Sequence, residues 1–255
     1  MDFTLQKYRK LIIHLIRSGY TFYKFSDVYS RDKLNVPHVI LRHDVDRLPF
    51  RAMKMAEVEA ELAVVSTYFF RIKPVSFNKD VIKYILNRGH EIGYHYEELS
   101  DTKGNFELAW QMFQKNIKQF NQIVKIKTIA MHGRPFSRWD NRELWDKYDY
   151  KLLGVELEAY KDISWNRYLY FTDVGRSWNS KSNLRDKTCN NDLKNHTVSL
   201  IKTTDDLIKY INNKKNLNFV ISTHPERWTD NKLGWIQVYL TDFIINITKR
   251  IIKLF

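Results

Sequence analysis

Blocks of regularly spaced apolar residues, separated by polar turns, predict alternating strands and helices along this chain. Residues 3–18 have apolar side chains at helical spacing and predict an amphipathic helix that Gly19 ends, and residues 20–37 predict a loop. Apolar runs predict seven strands, at 38–44, 64–70, 90–95, 127–131, 152–156, 169–172 and 218–222. Helical spacing predicts helices at 50–62, 78–88, 105–119, 139–148, 204–212 and 233–254, and residues 173–197 predict a long polar loop.

This alternation favours parallel strands joined by helical crossovers, which is the α/β class. About seven such strands in 255 residues suit a (β/α) barrel or a close relative. Neither a linker nor an internal repeat interrupts the pattern, so we expect residues 1–255 to form a single domain. Its N-terminal helix and loop would be residues 1–37, and its C-terminal helix residues 233–255.

The chain is strongly basic, with a formal net charge of +13 and an isoelectric point near 9.6. Lys and Arg are spread along the chain without a zinc-finger or RNA-binding motif. We therefore expect no nucleic acid partner. The charge would instead reflect an anionic substrate or surface, or a low-GC coding bias. The single cysteine, Cys189, excludes an intrachain disulfide and a thiolate metal cage.

Charged residues interrupt the apolar residues of the N-terminus, which is unlike a signal peptide, and no run of about 20 apolar residues occurs. The expected location is the cytoplasm. The apolar stretch 235–255 ends in basic residues. We expect it to pack against the barrel, and the alternative is peripheral contact with an anionic membrane surface.

The segment 39–47, Val-Ile-Leu-Arg-His-Asp-Val-Asp-Arg, passes abruptly from apolar to charged residues. In an extended chain Asp44 and Asp46 point to the same side, about 6–7 Å apart. Two close carboxylates repel each other unless a positive group lies beside them. A divalent metal would suit the pair, with one carboxylate as ligand and the other handling a proton. The alternatives are capping of the helix near Pro49 and salt bridges to Arg42 and Arg47.

Histidine follows or ends three further predicted strands, at His95, His132 and His224. The carboxyl ends of parallel strands lie on one rim of a barrel, where active sites are built. A lone histidine is usually structural, but the same chemistry at four strand ends predicts a functional site. His90 faces opposite to His95 on a strand, so we expect it to be structural.

The residues from about 39 to 228 resemble the polysaccharide deacetylases, also called NodB-like carbohydrate esterases. The segment Gly-His-Glu-Ile-Gly-Tyr-His at 89–95 is similar to the second motif of that family, and Asp-Val-Asp at 44–46 to the first. Arg134-Pro135 resembles the third motif, and Ser-Thr-His at 222–224 the last. The resemblance implies a distorted (β/α)7-type barrel.

The resemblance also implies roles for these residues. Asp44 would be the catalytic base and Asp46 a metal ligand, while Arg134 would hold Asp44 in place and His224 would act as general acid. The family motif has a second histidine ligand four residues after the first, where this chain has Leu99. We expect His132 to replace it because it ends the neighbouring strand.

The alternative third ligand is Glu98. An aspartate with two histidines suits a divalent ion, and zinc is the expected one. The long loop and the last motif supply expected substrate-binding residues, since Trp stacks on sugars and Arg binds anions. These are Asp173, Arg176, Trp178, Arg185 and Trp228. Internal salt bridges, Asp173 with Arg176 or Arg185 with Asp186, are the alternative for the loop residues.

The function implied by the resemblance is metal-dependent hydrolysis of an N-acyl group, expected to be N-acetyl, on an amino sugar in surface-polysaccharide or glycan metabolism. The substrate could be anionic, or linked to a nucleotide or lipid. Two alternatives stay open: hydrolysis or transfer at another C–N bond of a sugar, and a catalytically silent sugar-binding protein on the same fold.

Overall fold

Seven parallel strands form a curled, barrel-like sheet flanked by helices, and their order is β6-β5-β4-β3-β2-β8-β7. A short strand, β1, pairs with the first half of β2, in line with β3. The computed structural model describes residues 1–30, 34–134, 136–179, 201–214 and 216–252. The strands are β1 Thr21–Tyr23, β2 His38–Val45, β3 Thr67–Phe70, β4 Glu91–Tyr96, β5 Thr128–Met131, β6 Leu157–Glu158, β7 Tyr168–Thr172 and β8 Asn218–Thr223.

Eight helices surround or extend the sheet within the described ranges. They are α1 Leu5–Arg17, α2 Phe25–Ser30, α3 Pro49–Glu61, α4 Lys79–Leu86, α5 Glu98–Asp101, α6 Phe106–Asn121, α7 Thr204–Asn212 and α8 Lys232–Ile252. Local sequence explains several helix starts: Asn78, Asn105 and Thr203 each cap a helix with a side-chain oxygen that accepts a backbone N–H. None of the described helices combines the length and the apolar character needed to cross a membrane. The cytoplasmic location stays a prediction.

The α/β class, the parallel strands and the single curled sheet agree with the sequence prediction, but a regular (β/α)7 repeat does not. The loop predicted at 20–37 contains β1 and α2. In the described chain, 3₁₀ turns rather than α-helices link β5, β6 and β7, and the helix predicted at 139–148 is the turn Asn141–Asp146. The strand predicted at 152–156 lies instead at Leu157–Glu158, because Gly154 ends a preceding 3₁₀ turn with a left-handed φ of 79°.

Strand β2 is buried along its whole length, and its two faces have different neighbours. Val39 and Leu41 pack in one apolar cluster with α1, α3 and α7, while Ile40 belongs to the second cluster with β3, β4 and β5. Alternation along the strand therefore places Arg42 and Asp44 on the face of Ile40, and His43 on the face that meets α1 and α3.

A buried carboxylate, Glu59 of α3, ties the helices to the outer face of the sheet. It lies 2.7 Å from Nε2 of His43 and accepts hydrogen bonds from Tyr68 at 2.7 Å and Ser66 at 2.8 Å. His90 belongs to this network through Ser66, at 3.0 Å, which confirms its expected structural role. Burial opposes ionisation of Glu59, but His43 lowers its pKa from 4.5 to about 2.

Replacing Glu59 by glutamine is expected to destabilise the protein by about 3 kcal/mol at pH 7, because it breaks a buried charged network. The folded-state pKa is depressed, so the stabilisation by Glu59 is present above pH 4.5 and is lost as the pH falls toward 2. Urea unfolding at pH 7 and at pH 3 measures both effects. The control is Glu61→Gln on the same helix, whose side chain is 60% exposed. Equal stability of the two variants at pH 7 would contradict the prediction.

Candidate metal centre

Four strand ends bring chemically active side chains to one rim of the sheet. Asp44 lies near the end of β2, and Asp46 follows that strand. His95 lies in β4, His132 follows β5 and His224 follows β8. All these strands are parallel, so their carboxyl ends face the same way. The expected convergence at one rim is confirmed.

Asp46, His95 and His132 form a group that could hold a metal ion, since one ligand atom of each lies within 4.8 Å of the others. Oδ1 of Asp46 is 3.6 Å from Nε2 of His95 and 3.5 Å from Nε2 of His132. Ligand atoms of a tetrahedral zinc site are about 3.4 Å apart. The Asp46 Oδ1 atom is buried without a hydrogen-bond partner. The donor set and its spacing therefore fit a divalent ion, and the group is the predicted one.

Hydrogen bonds fix how both histidines present their ring nitrogens. Nδ1 of His95 donates to the carbonyl oxygen of Ala130 at 2.9 Å, and Nδ1 of His132 lies 2.9 Å from Oε2 of Glu97. Both partners are acceptors, so Nδ1 carries the hydrogen and Nε2 is left as the ligand atom. Glu97 is held in turn by Arg71, whose Nη2 lies 2.7 Å away.

The two histidines have opposite electrostatic environments. Burial lowers the pKa of His95 to about 4, so its ring is neutral and ready to ligate at neutral pH. Burial also opposes charge on His132, but the Asp46 and Glu97 carboxylates raise its pKa to about 9. Asp46 itself has a pKa well below its ordinary value because of His132 and His95, despite its burial. A metal ion would replace the proton on Nε2 of His132, the nitrogen that faces Asp46, while Nδ1 keeps its hydrogen toward Glu97.

Asp44 is an ionised carboxylate beside this group. Its Oδ1 atom accepts a 2.7 Å hydrogen bond from Nε of Arg42. Burial raises the pKa of Asp44, but Arg42, His95 and His224 together lower it below its ordinary value. The contact predicted from Arg134 is not formed, because Arg134 lies beyond β5 and pairs with Asp101 at 2.5 Å. Arg42 holds Asp44 instead, since alternation puts both on one face of β2. Pro135 lies outside the described residues.

Of the alternative contacts expected for Asp44 and Asp46, salt bridges and helix capping, only one salt bridge forms. Arg42 does pair with Asp44, but Arg47 pairs with Asp242 of α8, at 3.1 Å. Neither aspartate caps α3, because the residue in that position is Leu48, which makes no side-chain capping bond. The carboxylate of Asp46 therefore lies beside His95 and His132.

His224 is held by a buried carboxylate, Asp173, that directly follows the neighbouring strand β7. Its Nδ1 lies 2.6 Å from Oδ1 of Asp173, and its backbone N–H donates to Oδ2 at 2.9 Å. Arg227 and the indole N–H of Trp228 also donate to Asp173, at 2.5 and 2.8 Å. This leaves Nε2 of His224 4.0 Å from Oδ2 of Asp46. Burial and Arg227 lower the pKa of His224, but Asp173 and Asp46 together raise it above its ordinary value.

Most of the residues expected to bind substrate serve other contacts. Asp173, Trp178 and Trp228 have no exposed surface, so they cannot touch a sugar and instead support His224 or the core. Arg176 does not pair with Asp173 but with Asp242 of α8, at 3.0 Å. Arg185 lies outside the described residues, as does its suggested partner Asp186.

Glu98, the alternative third ligand, lies away from the group. Its carboxylate accepts hydrogen bonds from Asn116 at 2.8 Å and from the hydroxyl of Tyr94. Tyr94 precedes His95 in β4, so its side chain points to the opposite face of the sheet. Burial raises the pKa of Glu98 to about 7, although the hydrogen bonds from Tyr94 and Asn116 oppose this rise.

The second glycine of the 89–95 segment makes room for the floor of the site. Phe69 of β3 pairs with Asp44 on one side and with Gly93 on the other. A Cβ atom at Gly93 would overlap the Phe69 ring. The Phe69 ring lies 5.3 Å from the Arg42 guanidinium. Gly93 therefore lets an aromatic ring fit between the two strands that present Asp44 and His95.

Neither a protein-family model nor a curated protein matches the chain. The geometry of the site is therefore the basis for inferring a function.

The sequence interpretation missed two supporting residues, Glu97 and Arg227, and gave the Arg42–Asp44 pair only as an alternative to a metal site. A signal for Glu97 exists, because it follows His95 by two residues and so shares a strand face with it. Arg227 had no such signal, because its contact with Asp173 joins two loops whose path depends on the whole fold.

Proposed function

We propose that the protein is a metal-dependent hydrolase that removes an N-acyl group, expected to be N-acetyl, from an amino sugar. The observation that carries the proposal is the placement of a base and an acid around one group of ligands. Oδ2 of Asp44 lies 3.9 Å from Nε2 of His95, and Nε2 of His224 lies 4.0 Å from Oδ2 of Asp46. Their surroundings keep Asp44 ionised and favour protonation of His224, and such a pair divides the roles of base and acid.

Asp46, His95 and His132 would hold the ion, and zinc fits this donor set. When bound, such an ion acidifies a water molecule and polarises the acyl carbonyl. Asp44 accepts a proton from the attacking water, while Arg42 keeps the carboxylate in position. A bond forms between the water oxygen and the acyl carbon, and the C–N bond breaks. His224 donates its proton to the departing nitrogen, so the products are a carboxylic acid and a free amino sugar.

The proposed substrate is an anionic amino sugar, or one linked to a nucleotide or a lipid. The net charge of +13 supports an anionic partner. Reaction at another C–N bond of a sugar would use the same base and acid. A silent sugar-binding protein has less support, because such a protein does not need an ionised carboxylate and a protonated histidine on either side of a ligand group.

Removal of the metal tests the proposal. We expect the purified protein to bind zinc and to release acetate from N-acetylated amino sugars. A chelator should abolish the release of acetate, because the carbonyl and the water lose their activating ion. Added zinc should restore it. Metal content and acetate are measured on the same samples. Acetate release that continues after metal loss would contradict the proposal, and sugar binding without any release would favour the silent alternative.

A further inference from the structure

Helix α8 has an exposed apolar stripe. The stripe lies within an arc of about 100° of the helix surface, given 100° per residue. It consists of Leu233, Ile236, Leu240, Phe243 and Ile244, which are 80%, 48%, 54%, 53% and 63% exposed. A surface helix of a globular protein usually turns its apolar face to the core and its polar face to water. The described part of α8 differs from this pattern, because the stripe is exposed although Val238 on the inner face is buried.

The inner face of α8 carries a buried acidic residue. Asp242 is 5% exposed and lies opposite the stripe. It pairs with Arg47 at 3.1 Å, Arg176 at 3.0 Å and Arg227 at 3.4 Å. It is also the only acidic residue between positions 232 and 255 of the sequence. The ion pairs therefore hold α8 in an orientation that leaves the apolar stripe outside and Asp242 inside.

The start of α8, where the stripe begins, lies close to the start of α3. Nη2 of Arg51, in the first turn of α3, donates to the carbonyl oxygen of Gly234 at 3.2 Å, which places the start of α3 beside the start of α8. Phe50 and Leu48 next to Arg51 are 64% and 44% exposed. These residues follow Asp46 within four positions. The apolar surface therefore borders the strand end that carries a predicted metal ligand.

We infer that this surface, the stripe together with Leu48 and Phe50, lies on a bilayer that contains anionic lipids. Apolar side chains would enter the boundary between headgroups and acyl chains, and basic residues would meet the headgroups. Lys232, which is exposed at the start of α8 next to the stripe, is one such residue.

A second copy of the chain is the less suitable occupant, because two molecules of charge +13 repel each other. Anionic lipid instead neutralises that charge. Docking needs no substrate, so it is independent of the proposed function. Under that function, a lipid-linked amino sugar in the same bilayer would reach the rim directly.

Sedimentation of the full chain with lipid vesicles tests the inference. We expect binding to phosphatidylcholine vesicles that contain phosphatidylglycerol, weaker binding at high salt, and little binding to phosphatidylcholine alone. The double variant Leu240→Asp with Ile244→Asp should bind at least about tenfold more weakly, because burial of one such side chain alone is worth about that factor. Both side chains are exposed, so the fold and the zinc content should not change.

The control is Leu152→Asp, which introduces one of the two added charges at a side chain that is 78% exposed, before β6 and hence at the opposite end of the strands. It should bind vesicles as the unchanged protein does. Equal binding by the control and the double variant would overturn the inference, as would no binding to anionic vesicles. Self-association that the double variant abolishes, without vesicle binding, would assign the surface to a second copy instead.

Discussion

Replacing Asp44 by asparagine is expected to lower kcat for deacylation by about a thousandfold, within the range that a general base contributes. The amide has nearly the same shape and its oxygen can still accept the hydrogen bond from Arg42, but it cannot take a proton from water. The metal ligands are untouched, so zinc affinity should change little. Steady-state kinetics and metal analysis of the same preparation measure the two effects separately.

The matched control for this variant is Asp101→Asn. Asp101 is another rim carboxylate, paired with Lys73 at 2.6 Å and with Arg134 at 2.5 Å, but it contacts neither Asp44 nor the ligand group. We expect it to keep most of the activity. If Asp44→Asn kept full activity with zinc bound, Asp44 would not be the base.

Replacing His132 by alanine is expected to weaken zinc binding by more than about 100-fold, and with it the activity. Loss of a residue that only supports a ligand costs about 10–100-fold, and loss of a ligand should cost more. Asp46 and His95 alone would leave a site with two protein ligands. Titration with a competing chelator measures the affinity.

Glu98→Gln is the informative comparison for that experiment. Burial raises the pKa of Glu98 to about 7, so an amide is a close substitute for a carboxyl that is protonated part of the time. We expect unchanged zinc affinity, because Glu98 bonds with Tyr94 and Asn116 rather than with the ligand group. Zinc loss in Glu98→Gln together with zinc retention in His132→Ala would reverse the assignment of the third ligand.

The sequence predicted the parts of this site that depend on strand alternation. The apolar run of β2 and its abrupt charged end located Asp44 and Asp46, and the spacing in the 89–95 segment separated His95 from the structural His90. Because these strands are parallel, the carboxyl ends of β2, β4, β5 and β8 lie on one rim of the sheet. The missing ligand at Leu99 could then be assigned to His132 because β5 neighbours β4 in the sheet.

Contacts between loops could not be predicted in this way. Arg134 and Arg42 are equally suitable partners for Asp44 by charge, and only the path of the chain after β5 places Arg134 beside Asp101. The sequence predicted that Trp178 and Trp228 stack on a sugar, but both are buried. Their ring centroids lie 6.1 Å apart. Short elements such as β1 and β6 contain too few residues for a hydrophobic period to identify them.

The candidate ligands come from β2, β4 and β5, and β3 lies between the first two of these strands. Only the folded sheet brings Asp46, His95 and His132 together, since 86 residues of sequence separate the first from the last. An ion that binds the folded chain alone stabilises it by RT ln(1 + [M]/Kd), which is about 4 kcal/mol at a free concentration 1,000 times Kd. A metal ion bound at this site would therefore also raise the melting temperature of the whole protein, and more so the tighter it binds.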